Sequence, residues 1–135
     1  MIPITIDTID TRHLVTGNRR IHYYKRAEVC AYWRDLANRA ALDAYGHADI
    51  GQAWHQRIRI VLTFRFPDLR RRDVSNLYPY VAKPIVDGLV DARVIPDDND
   101  HHLIGPDLRR DPDRGPCRVL IDIHDLDRAH TQEIQ

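Results

Sequence analysis

The sequence predicts an α+β domain with two helices and a small mixed or antiparallel sheet. Three observations predict it. The segment Arg57 to Phe66, "RIRIVLTFRF", alternates apolar and polar residues, the period of a half-buried strand. Two longer stretches, from Ala27 and from Val74, instead repeat their apolar residues at helical spacing. Strand-type and helix-type segments then follow one another in the order β, α, β, α, β, β, which groups as a layered α+β fold.

Taken in order, Ile2 to Ile9 alternates Ile2, Ile4 and Ile6 with Thr5 and Asp7 and reads as a strand. Thr16-Gly17-Asn18 punctuates a loop, and Arg19 to Arg26 is a basic, aromatic connector. Ala27 to about Tyr45 reads as a helix, with Val29, Trp33, Leu36, Ala40 and Leu42 near one face and Gly46 as its stop. In the strand at 57–66, Ile58, Ile60, Leu62, Phe64 and Phe66 share a face, and Pro67-Asp68 ends it. A second helix is expected from Val74 to about Ala92. A short strand over His102 to Ile104, a loop "PDLRRDPDRGP" and a closing strand over Cys117 to His124 complete the chain.

The length of 135 residues predicts one domain spanning 1–135, and 43% hydrophobic residues suffice for one core. Formal net charge is zero, so no bulk field announces a polyanion partner. The positive charge is nonetheless clustered in arginine pairs and triplets, Arg19-Arg20, Arg70-Arg71-Arg72 and Arg109-Arg110, whose guanidinium forks suit phosphate oxygens. Two cysteines, Cys30 and Cys117, in no paired motif exclude a disulfide framework and predict a reducing, cytoplasmic location. No signal peptide or membrane-length apolar run is read, and no membrane partner is expected.

The chemistry concentrates in "RRRDVSNLYPYVAKPIVDGLVDARVIPDDND", Arg70 to Asp100. On a wheel, Asp73, Asn76, Tyr80, Lys83 and Asp87 fall within about 80° of one another, while Val74, Leu77, Tyr78, Val81, Ile85 and Leu89 gather opposite. This is equally the pattern of an ordinary solvated face with a Lys83–Asp87 pair one turn apart. Pro84 cannot donate a backbone hydrogen bond, which predicts a kink or break near Lys83. Beyond the helix, Asp97, Asp98, Asn99 and Asp100 supply hard oxygen ligands of the kind Mg²⁺ or Mn²⁺ takes. The spacing excludes an EF-hand, and His101-His102 is a poor zinc pair because adjacent strand residues face opposite ways.

These motifs in this order resemble the RusA family of Holliday junction resolvases. The similarity runs from about Pro67 to Asp98: an arginine-rich lead-in, an Asp-x-x-Asn, a helix with a lysine and a later aspartate, and a terminal Asp-Asp. It implies a RusA-like fold, a homodimer and Mg²⁺-dependent (or Mn²⁺-dependent) hydrolysis of phosphodiesters in branched DNA, in recombination and repair. Carried over residue by residue, it implies Asp73, Lys83 and Asp98 as catalytic residues. The metal would be held by Asp73, Asp97 and Asp98, with Ser75 a weak or water-mediated ligand. Asn76, Asp87 and Asp100 would support them. DNA would be held by Arg19, Arg20, Arg70, Arg71, Arg72, Arg109 and Arg110. Lys83 matches only if about one extra helical turn separates it from Asn76. Ser75 stands where the family pattern has its second aspartate, so a junction-binding dimer with weak or lost cleavage is the alternative expectation.

Overall fold

A computed structural model of the chain describes residues 2–7, 9–17 and 19–127. Four strands, β1 (Ile2–Ile6), β2 (Ile58–Arg65), β3 (Leu103–Arg110) and β4 (Arg118–Asp125), and two helices, α1 (Tyr23–Tyr45) and α2 (Lys83–Asp91), follow the expected order. The sheet runs β1-β4-β2-β3 and is mixed. β4 pairs antiparallel with both β1 and β2, while β2 and β3 are parallel and are joined by the crossover that contains α2.

One face of the sheet carries the core. Ile58, Ile60, Leu62 and Phe64 of β2, Val119, Ile121 and Ile123 of β4, and Ile4 and Ile6 of β1 are buried and share one apolar cluster with both helices. The alternating residues of β2 and β4 on the other face are half-buried. At one end of the sheet His55 ties elements together: Tyr45 Oη lies 2.9 Å from its Nε2, and Asp125 Oδ2 2.8 Å from its Nδ1.

The helices differ from expectation in informative ways. α1 begins at Tyr23 rather than Ala27, because His22 caps it: the Tyr24 amide donates to His22 Nδ1 at 3.3 Å. Its buried row is Val29, Trp33, Ala37 and Ala41, while the expected Leu36, Ala40 and Leu42 are only partly buried. The reason lies in α2. At Gly88 an added Cβ would sit 2.3 Å from the Arg34 carbonyl oxygen and 2.8 Å from the Ala37 Cβ, so the two helices meet backbone to backbone and only small residues fit between them.

The segment from Val74 is three helical pieces in succession: a 3-10 turn (Val74–Leu77), a π turn (Tyr78–Ala82) and α2. The chain neither breaks nor leaves helical geometry at Lys83, whose φ and ψ are −61° and −47°. The wider π turn lets the Lys83 amide donate to the Tyr78 carbonyl, and Pro84 falls in the first turn of α2, the part of a helix that tolerates proline best. Tyr78, expected on the apolar face, is exposed, and Ala82, Pro84 and Val86 are buried instead. Val81, Ile85 and Leu89 are buried as expected, so the buried face of this segment is broader than a straight α-helical wheel gives.

β3 is longer than the expected His102 to Ile104, and half of the expected loop, Pro106 to Arg110, lies in it. Pro106 is tolerated because β3 is an edge strand, and the β2 register shifts between Arg59 and Val61 opposite it. Gly105 makes this possible with φ +98°, a conformation in which a Cβ would lie 2.7 Å from the Ile60 carbonyl oxygen.

Candidate functional site

Lys83 is the centre of one cluster. It sits at the start of α2, with its neighbours Ala82 and Pro84 buried, and this anchors the backbone from which its half-buried side chain extends. Its ammonium donates to Asp87 Oδ1 at 2.7 Å, one turn on, and to Asp98 Oδ2 from the acidic turn that follows the helix. That turn is shaped by its own side chains. Asp97 Oδ1 accepts from the Asp98 amide at 2.8 Å, Asp97 Oδ2 from Asn99 Nδ2 at 3.3 Å, and Asn99 Oδ1 from the His101 amide at 3.0 Å. Burial disfavours the charge on Lys83, but its bonds to Asp87 and Asp98 outweigh this and hold its pKa above the ordinary value. The same ammonium holds the Asp98 carboxyl below the usual carboxylate range. Asp100 is exposed beside them.

Asp73 belongs to a different neighbourhood. It caps the 3-10 turn, its Oδ1 accepting from the Ser75 amide at 3.1 Å and from Ser75 Oγ at 2.6 Å, and these bonds lower its pKa. The Asn76 carbonyl accepts from the Gly17 amide at 2.6 Å, which pins the loop before α1 to this turn. Asp73 and Asn76 line a groove of about 500 Å³ together with Thr11, Leu14, Phe66 and Arg70 to Arg72. Lys83 and Asp98 are not among its lining residues. The two carboxylates expected to share a metal thus take different partners, Ser75 for Asp73 and Lys83 for Asp98.

The arginines of the groove are not equivalent. Asp68 is their hub: it accepts from Arg72 at 2.6 and 3.2 Å and from the Arg70 amide at 3.0 Å, and these bonds hold its carboxyl far below the ordinary value. Arg72 and Arg110 both lie over the Phe66 ring, at 4.5 and 5.2 Å, and Arg110 also donates to the carbonyls of Arg70 and Asp68. Arg70 and Arg71 are exposed. Arg109, Arg19 and Arg20 are exposed away from this hub, with Arg109 3.7 Å from Asp107. In sequence, Pro67-Asp68 marks only the end of a strand. A carboxylate two residues before an arginine triplet is the signal that points to the hub.

Asp97 and Asp98 place two carboxylates in one turn, enough protein donors for a Mg²⁺ ion that keeps most of its waters. Among the described residues no three His, Cys, Asp or Glu side chains come together as a metal-holding group. No helix of the described residues is long and apolar enough to cross a membrane. No protein-family model matches the chain, and no curated protein matches it.

Proposed function

We propose that the chain is a branched-DNA endonuclease of the RusA type, acting as a homodimer with Mg²⁺ or Mn²⁺. The observation that carries this reading is the pairing of two features on one continuous helical segment. At its start, Asp73 opens into an arginine-lined groove. Midway along it, at the start of α2, Lys83 is held between Asp87 and Asp98 beside Asp97. The exposed Arg70 and Arg71 bind phosphate oxygens, and Arg72 and Arg110 brace the loop that presents them. Lys83, kept charged by its two carboxylates, supplies a positive group for a phosphate brought to the acidic turn. A bound Mg²⁺ or Mn²⁺ would be held by Asp97 and Asp98 and would stabilise phosphate charge and lower the pKa of an attacking water. A homodimer is part of the reading because a four-way junction is cut at two symmetry-related points.

A second reading is favoured by one observation: Ser75 donates its hydroxyl hydrogen to Asp73. A neutral donor there makes the Asp73 end less electronegative than a second carboxylate would. In that reading the protein binds junctions as a dimer and does not cut them. Incubation with labelled four-way junctions in Mg²⁺ or Mn²⁺ decides between the two. Cleavage that disappears in Asp98→Asn selects the nuclease. A band shift without cleavage selects the binder, and neither cleavage nor shift rejects both.

A further inference from the structure

Immediately before and into α1 the chain runs Arg19-Arg20-Ile21-His22-Tyr23-Tyr24-Lys25-Arg26, four cations with no carboxylate among them. Ile21 packs against the core, but the two tyrosines do not: Tyr23 is 65% and Tyr24 75% exposed. A ring left in water forgoes a large apolar burial, so two neighbouring exposed ones form an apolar surface that is not buried against the core of the described residues. The rings are also ordered with respect to one another. The His22 ring stacks on Tyr24 with centroids 5.3 Å apart and planes 22° from parallel. Tyr23 meets Tyr24 edge-on at 5.6 Å, and the Arg26 guanidinium stands 5.9 Å from the Tyr23 ring. The nearest following carboxylate, Glu28, is 3.7 Å from Lys25. Arg19, Arg20 and Arg26 are exposed.

Flat apolar rings flanked by the exposed Arg19, Arg20 and Arg26 complement a polyanion that also exposes flat rings. Duplex DNA offers only its phosphates to such a surface, because its base faces are stacked on one another. Unpaired DNA offers both. We infer that His22, Tyr23 and Tyr24 form a stacking platform for unpaired bases of single-stranded DNA, with Arg19, Arg20 and Arg26 on the flanking phosphates. The inference rests on the branched-DNA reading for its polyanion and adds to it a surface for unpaired strands.

The test is fluorescence anisotropy of the full chain against a labelled oligo-dT of about 12 nucleotides, an abasic strand of the same length, a paired duplex and a four-way junction. The parent protein binds oligo-dT about tenfold or more tighter than the abasic strand, the effect of losing one or two stacked bases. Tyr23→Ala/Tyr24→Ala reduces oligo-dT affinity to the abasic level and leaves duplex and abasic binding unchanged. Tyr23→Phe/Tyr24→Phe, which keeps the rings, restores it. Both tyrosines are exposed, so a thermal melt of each variant matches the parent. Equal binding of oligo-dT and abasic strand by the parent overturns the platform. So does a Tyr→Ala variant that binds like the parent, or one whose loss of binding tracks loss of a dimer. Junction binding without base-dependent strand binding sinks the platform alone. Base-dependent strand binding without junction binding sinks the branched-DNA reading alone.

Discussion

Lys83 is the residue on which the acidic turn closes, and its removal has a defined signature. Asp98 has a folded pKa below its ordinary value because Lys83 donates to it. Its contribution to stability is therefore fully present above the ordinary carboxyl pKa of 3.8 and is lost as pH falls through the lower folded value. Lys83→Met removes that contribution and leaves Asp87 and Asp98 near one another without a counter-charge. Since all three side chains are partly solvated, the expected loss at pH 7 is about 1 kcal/mol. Thermal melts across pH 7 to pH 2 should show the gap between parent and variant constant above the carboxyl range and closing below it. A gap independent of pH would mean that Lys83 acts through packing. At the other end of the segment, Asp73→Ala removes a cap and should lower the melting temperature, whereas Asp73→Asn keeps an acceptor for the Ser75 amide and should change it little. Ser75→Asp places a second carboxylate where a hydroxyl now donates to Asp73. Without metal it should lower the melting temperature through repulsion at close range. Added Mn²⁺ should then raise its melting temperature more than the parent's. An equal shift in both proteins would show that this end of the segment holds no cation.

The helices illustrate how a small side chain sets an element's position. α2 approaches α1 at Gly88, against the Arg34 carbonyl and Ala37. Gly88→Ala has a favourable helix propensity but no room for its methyl, so the helices must separate. Overpacking of this kind costs about 1–3 kcal/mol, and a fall in the denaturant midpoint measures it. A stability equal to or above the parent's would show that the interface relaxes freely. The same approach explains why periodicity alone does not identify the buried face of α1. Helical spacing marks both an Ala-rich row and a Leu-rich row as apolar, and only the partner helix, by coming close enough to touch backbone, selects Ala37 and Ala41. In β3 the alternation is obscured by Gly105-Pro106, residues that mark loops in most contexts and are accommodated here by an edge position and a register shift.

Across the molecule the arginines should separate into two groups. Arg71→Ala, at an exposed position in the groove, should weaken DNA binding and reduce the log-log salt slope by about 0.9 for each phosphate that Arg71 neutralises, with no change in stability. Arg72→Ala should lower stability as well, because its guanidinium bonds Asp68 and covers Phe66. Equal melting temperatures for the two variants would remove the bracing role assigned to Arg72. The difference between these arginines is invisible in "RRR". What the sequence by itself determined is the element order, the apolar face of β2, and the Lys83–Asp87 pair one turn apart with the acidic turn that follows. All of these are local, since alternation and helical spacing report which residues face water within one element. Only the tertiary structure decided the rest. It put β4 between β1 and β2, turned the Pro84 segment into a π turn instead of a break, drew Asp98 to Lys83 and Ser75 to Asp73, and gathered Arg72 and Arg110 from separate elements onto one ring. The strand order, the Lys83–Asp98 pair and the two arginines on Phe66 join residues distant in the chain, which packing around one shared core brings together, while the π turn and the Asp73–Ser75 cap are local geometry that residue spacing alone does not specify.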